Sequence, residues 1–120
     1  MKTLLIVDDS TTIRNVLKTS MHNEYSIFEA ENGEAALKIA GENKVDLFLL
    51  DVNMPIMNGI ILTKKLREQT LYKTTPIIIL TTETKPEMRQ QGKEAGANGW
   101  VVKPCEPKQL LGIIQKMIGS

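Results

Sequence analysis

Five side chains suited to phosphoryl chemistry are scattered along the 120-residue chain: the pair Asp8 and Asp9, then Asp51, Thr81 and Lys103. Each ends or follows a short apolar run. Leu4 to Val7 leads into Asp8, Leu47 to Leu50 into Asp51, Ile77 to Leu80 into Thr81, and Trp100 to Val102 into Lys103. If these positions meet in space, three carboxylates crowd one crevice and repel one another unless a cation neutralises them. An oxygen-only donor set suits a hard divalent ion, and Mg²⁺ typically takes one or two carboxylates together with waters and phosphate oxygens. Lys103 adds an ammonium that can serve first a carboxylate and then a phosphoryl oxygen, while the Thr81 hydroxyl can bond the same oxygen. The set suits phosphoryl transfer onto a carboxylate, where positioning and charge neutralisation carry most of the catalysis. Asp51, alone at the exit of the central run, is the natural acceptor. Each residue also has a plainer use: Asp9 or Ser10 as a helix cap, Thr81 as a strand former, Lys103 as a loop residue before Pro104. The complementary parts at four strand exits carry the functional reading.

The elements that must bring them together are legible in the pattern. Strands are predicted at Thr3 to Val7, Tyr25 to Glu29, Asp46 to Leu50, Ile77 to Thr81 and Gly99 to Lys103. Three are nearly continuous hydrophobic runs, as in a parallel sheet covered on both faces. Helical spacing separates them: Ile13, Val16, Leu17 and Met21; Ala36, Leu37 and Ala40; Ile61, Leu62, Lys65 and Leu66; a polar segment from Pro86 to Ala95; and the stripe Leu110, Leu111, Ile114, Met117 and Ile118. Five β-α repeats predict a doubly wound α/β domain of flavodoxin-like type, with right-handed crossovers. In strand order 2-1-3-4-5, strands one and three adjoin at the switch point, where such folds place their sites.

Composition narrows the function. Fifteen Lys and Arg against fourteen Asp and Glu give a net charge of +1, too little for the electrostatic footprint of direct DNA binding. A single cysteine, Cys105, with His22 the one histidine, permits neither an internal disulfide nor a zinc site and fits the reducing cytoplasm. The apolar start after Met1-Lys2-Thr3 is cut short at Asp8, before a signal-peptide core could form, and no run approaches the length of a membrane span. One domain covering residues 1–120, without an output module, is expected, as is a monomer.

Around these positions the sequence resembles the receiver domains of two-component response regulators. The segments are Leu5-Ile6-Val7-Asp8-Asp9-Ser10, Leu49-Leu50-Asp51-Val52-Asn53-Met54-Pro55-Ile56-Met57-Asn58-Gly59, Ile78-Ile79-Leu80-Thr81, and Glu94 through Lys103-Pro104. The likeness runs the whole chain and is greatest to stand-alone regulators of the CheY chemotaxis type. It implies that Asp51 takes a phosphoryl group from a phosphohistidine on a sensor histidine kinase. It further implies that Asp8, Asp9, Asp51 and the backbone carbonyl of Asn53 hold Mg²⁺. Lys103 would contact the phosphoryl group, aimed by a cis bond to Pro104. Thr81 would bond a phosphoryl oxygen and, by moving, let Trp100 turn inward, altering the face made by the fourth helix, fifth strand and fifth helix. Such a protein catalyses only its own phosphorylation and dephosphorylation. Its partners would be the kinase, a downstream target such as the flagellar motor switch, and a phosphatase.

The sequence departs from the family pattern at Thr82, where Ala or Gly is usual, and at Trp100, where Tyr or Phe is commoner. Thr82 adds bulk beside the acceptor, and Trp100 needs more room inside. Asn53 and Glu83 flank the site where the family tunes hydrolysis; Cys105 has no assigned function, and His22 reads as a surface residue. Other readings are a single-domain phosphorelay intermediate, a docking module that has lost phosphorylation, and a flavodoxin-like phosphate binder using Ser10-Thr11-Thr12. The intact acidic set argues against the second. Two carboxylates beside that loop, the lack of a glycine-rich phosphate motif and the few aromatic residues argue against the last.

Overall fold

A computed structural model, describing Met1–Gly119, places the elements in the order β1 (Thr3–Val7), α1 (Thr11–Met21), β2 (Ser26–Ala30), α2 (Gly33–Glu42), β3 (Leu47–Leu50), α3 (Gly59–Glu68), a 3-10 turn (Thr70–Tyr72), β4 (Ile77–Thr81), α4 (Pro86–Ala95), β5 (Gly99–Val102) and α5 (Pro107–Ile118). The sheet is parallel in all four pairings, in the order β2-β1-β3-β4-β5. The doubly wound α/β expectation holds. The central strands are buried along nearly their whole length, which accounts for their continuous apolar runs.

Strand limits shift where a side chain or a turn captures the backbone. Tyr25 lies before β2 because its N–H closes onto the Met21 carbonyl (3.1 Å) at the end of α1. Asp46 precedes β3, and its carboxylate accepts the Thr3 N–H (2.8 Å), tying down the start of β1. Lys103 falls just past β5, where its peptide bond to Pro104 is cis.

Alternate side chains divide the core. Leu5, Val7, Phe48 and Leu50 pack with α2 and α3 on one face; Leu4, Ile6, Leu49, Ile78 and Leu80 pack with α1 and α5 on the other. A smaller cluster of Val52, Ile60, Ile79 and Ala95 lies under α4. Helix faces differ from the periodicity reading at four positions: Val16, Ile61, Lys65 and Met117 are exposed. In α3 the cause is the helix start. Gly59 lies so close to the Asp51 backbone that a Cβ would fall 2.1 Å from its carbonyl oxygen. That approach sets the rotation of the helix, so Leu62, Thr63 and Leu66 follow inward at i+3, i+4 and i+7. The Thr63 hydroxyl is satisfied by donating to the Gly59 carbonyl (2.7 Å).

Candidate functional site

Register brings the acidic residues together. Val7 pairs with both Ala30 and Leu50, so the next residues on β1 and β3, Asp8 and Asp51, leave the sheet side by side. Backbone bonds extend the ladder to that level: Asp8 N–H to Ala30 (3.1 Å) and Asp51 N–H to Val7 (2.9 Å). One carboxylate oxygen each from Asp8, Asp9 and Asp51 lies within 4.8 Å of the others. Asp8 and Asp51 are buried and Asp9 is exposed, which leaves the cluster open on one side.

Lys103 reaches into this crevice from the exit of β5. Its Nζ donates to Asp8 Oδ2 (2.7 Å) and Asp51 Oδ2 (3.2 Å). Burial, the largest single influence, pulls the Lys103 pKa down. The bond to Asp8 and the charges of Asp51 and Asp8 together outweigh it and hold the ammonium above its ordinary value. Three carboxylates against one ammonium leave negative charge uncompensated. Hard oxygen donors with excess negative charge and an open side fit a divalent cation such as Mg²⁺.

Local turns hold the acids in place. Asp8 Oδ1 accepts the Ser10 N–H (2.9 Å), and Ser10 in turn caps α1 by accepting the Ile13 N–H (3.2 Å). Ser10, of the two candidates, is therefore the cap. Asp51 Oδ1 accepts the Asn53 N–H (3.3 Å), folding the exposed Asn53 back toward the Asp51 carboxylate. Thr81 is fully buried one residue beyond the level of Asp51, and its Oγ1 accepts the Glu83 N–H (3.3 Å). The Glu83 carbonyl accepts the Trp100 indole N–H (3.2 Å). One peptide segment thus joins the two switch candidates, with the indole half-buried rather than sealed in or fully exposed. Thr82 is exposed at this rim.

The sequence reading overlooked two supports. Arg14 donates to the Asp8 carbonyl and pairs with Glu29 (Nε to Oε1 3.3 Å), bracing the β1 exit from α1; its position one turn after the Ser10 cap was the available signal. Gly59 lets α3 begin against the Asp51 backbone, an approach that the residue type at this position does not by itself reveal. Of the remaining residues, His22 is exposed at the end of α1, and Cys105 is a half-buried free thiol.

A family model described as "Response regulator receiver domain" matches residues 4–115. Among solved structures, the chain is 44% identical to the chemotaxis protein CheY4 of Vibrio cholerae, with a TM-score of 0.93 over 97% of this chain and 98% of that one. It is 28% identical, with a TM-score of 0.89 over 99% and 98%, to the receiver domain of the sensor histidine kinase PA1611 from Pseudomonas aeruginosa, a structure with a magnesium ion coordinated in the active site cleft. The transcriptional regulatory protein SrrA of Staphylococcus aureus is 42% identical over 109 residues. These are 90% of this chain but 44% of that relative's length.

Proposed function

This chain belongs to the response regulator receiver domain family, and from that membership we propose that it is a phosphorylation-operated switch with Asp51 as its phosphoacceptor. The observation that carries the reading is the Lys103 ammonium lodged between Asp8 and Asp51, in a crevice where three carboxylates converge. A carboxylate oxygen of Asp51 attacks the phosphorus of a phosphohistidine on a sensor histidine kinase. The P–N bond breaks, a P–O bond forms, and the imidazole leaves. Asp8, Asp9, Asp51 and the Asn53 carbonyl are the proposed holders of Mg²⁺, which when bound supplies positive charge against the carboxylates and the incoming phosphoryl oxygens. Lys103 exchanges a carboxylate oxygen for a phosphoryl oxygen, keeping its charge paired.

Thr81 turns its hydroxyl toward the phosphoryl group and gives up the Glu83 N–H. Because the Glu83 carbonyl holds the Trp100 indole, that exchange reaches the α4–β5 surface and biases one of two arrangements there. On this reading the protein works in the cytoplasm, catalyses only its own phosphorylation and dephosphorylation, and signals by changing which protein it binds. The likeness to CheY4 supports chemotaxis or motility as the process, with the flagellar motor switch as target and a phosphatase resetting the signal. Among the described residues no helix is long and apolar enough to cross a membrane.

The test is acid-labile labelling by a small phosphodonor with Mg²⁺. The native protein should label to about one equivalent by this single-acceptor mechanism, and Asp51→Asn should not label. Stoichiometric labelling of Asp51→Asn would overturn the assignment.

A further inference from the structure

Trp100 stands between two spaces. On its inner side the indole lies against Gly92 in the middle of α4, where a Cβ would fall 2.8 Å from Cζ3 and 3.0 Å from Cε3. On its outer side it forms part of the wall of a groove of about 440 Å³, bounded by Pro86, Arg89, Gln90, Lys93 and Asn98. Glycine in a helix interior weakens the helix, and α4 has few other anchors: its only buried residues are Gly92 and Ala95, and no side chain caps its N-terminus. A weakening residue where the largest side chain of β5 lies against the helix matches the extra room that an indole requires.

We propose that Gly92 is a notch that seats the Trp100 indole, and is thereby the residue that positions it for switching. With the notch open, the indole lies beneath α4, its N–H reaches the Glu83 carbonyl, and the outer groove is clear. With the notch filled, the indole moves toward the groove and the bond to Glu83 is lost. The regulatory part of this inference rests on the phosphorylation reading above; the notch itself does not.

A double-mutant cycle tests it. Gly92→Ala removes a helix-weakening residue, so without the indole it should raise Tm by roughly 4 °C. That rise is expected in a Trp100→Ala background, with Trp100→Leu as the alternative background should the first fail to fold. In the native background the same substitution should lower Tm, increase acrylamide quenching of Trp100 and shift the indole N–H resonance. Equal increases in Tm in both backgrounds, with quenching unchanged, would overturn the notch. The resonance is then followed during titration with beryllofluoride and Mg²⁺. If the cycle has opposite signs but the native indole does not respond, the notch stands and the phosphorylation coupling falls. If the native indole responds and Gly92→Ala responds identically, the positioning role is overturned while the phosphorylation reading stands.

Discussion

Helices α3 and α4 lie side by side on one face of the sheet and are held by different means. α3 buries Gly59, Ile60, Leu62, Thr63 and Leu66, and Asn58 caps it by accepting the Ile61 N–H at 2.9 Å. α4 buries only Gly92 and Ala95 and starts at Lys85 with no side-chain cap. Its firm attachment is at the far end, where Arg67 of α3 donates to the Gly96 carbonyl (Nε 3.1 Å, Nη2 2.8 Å) and to Asn98 Oδ1 (2.8 Å). The helix that abuts the Asp51 backbone is packed in place. The helix beside Thr81 and Glu83 is tethered at one end and light at the other, which is how a segment of low local stability is built.

Core truncation gives the sharpest contrast. Leu62→Ala in α3 should cost about 3 kcal/mol, whereas Met88→Ala in α4 should cost about 1 kcal/mol or less; denaturant midpoints compare them, and equal losses would break the contrast. Next, Gly59→Ala should cost about 2 kcal/mol by forcing α3 off the Asp51 backbone, and it should also slow labelling of Asp51. Gly41→Ala, at a helical glycine with nothing within 4 Å of the added Cβ, should be neutral or stabilising by up to about 1 kcal/mol.

The well-packed side also carries a strained turn. Met57 N–H closes onto the Pro55 carbonyl (2.8 Å) around Ile56, which is β-branched, 70% exposed and at φ +73°. Ile56→Asn should therefore raise stability by about 1 kcal/mol, measured by urea unfolding.

The smallest effect is confined to alkali. Burial raises the pKa of Tyr72, whose hydroxyl lies 2.7 Å from the Ala40 and Asn43 carbonyls, and the contacts with Asp8 and Asp51 raise that of Lys103. Both hold protons more tightly folded than unfolded. Their contribution is intact below the ordinary values of 10.0 and 10.5 and is lost as pH rises through the higher folded values. Hydrogen exchange across that range should show the Tyr72 region loosening along with the Lys103 crevice; unchanged protection at Ala40 to Val45 would contradict this.

Much of this was readable before folding because it depends on local pattern. The limits of β1, β4 and α4 are those predicted, since continuous apolar runs and a helix-starting proline at Pro86 act within a few residues. The acidic site was legible because parallel register turns "first residue after the run" into a common level in space. The exposure of Ile61 and Lys65 was not, because rotation of α3 is set by the approach of Gly59 to the Asp51 backbone just past β3, a tertiary contact that no residue spacing encodes. Arg14 and Gly92 were hidden for the same reason: their significance lies in the Asp8 carbonyl and the Trp100 ring, which neither helical period nor composition reveals.

Lys103 makes the resting crevice its own counter-ion store. Its ammonium is largely shielded and wedged between two buried acids, unlike the exposed Lys18 that meets Glu29 at 3.4 Å on the surface. Dissolved salt weakens the exposed contact and screens the buried one much less. The pairing of Lys103 with Asp8 and Asp51 therefore persists at ionic strengths that loosen Lys18 from Glu29.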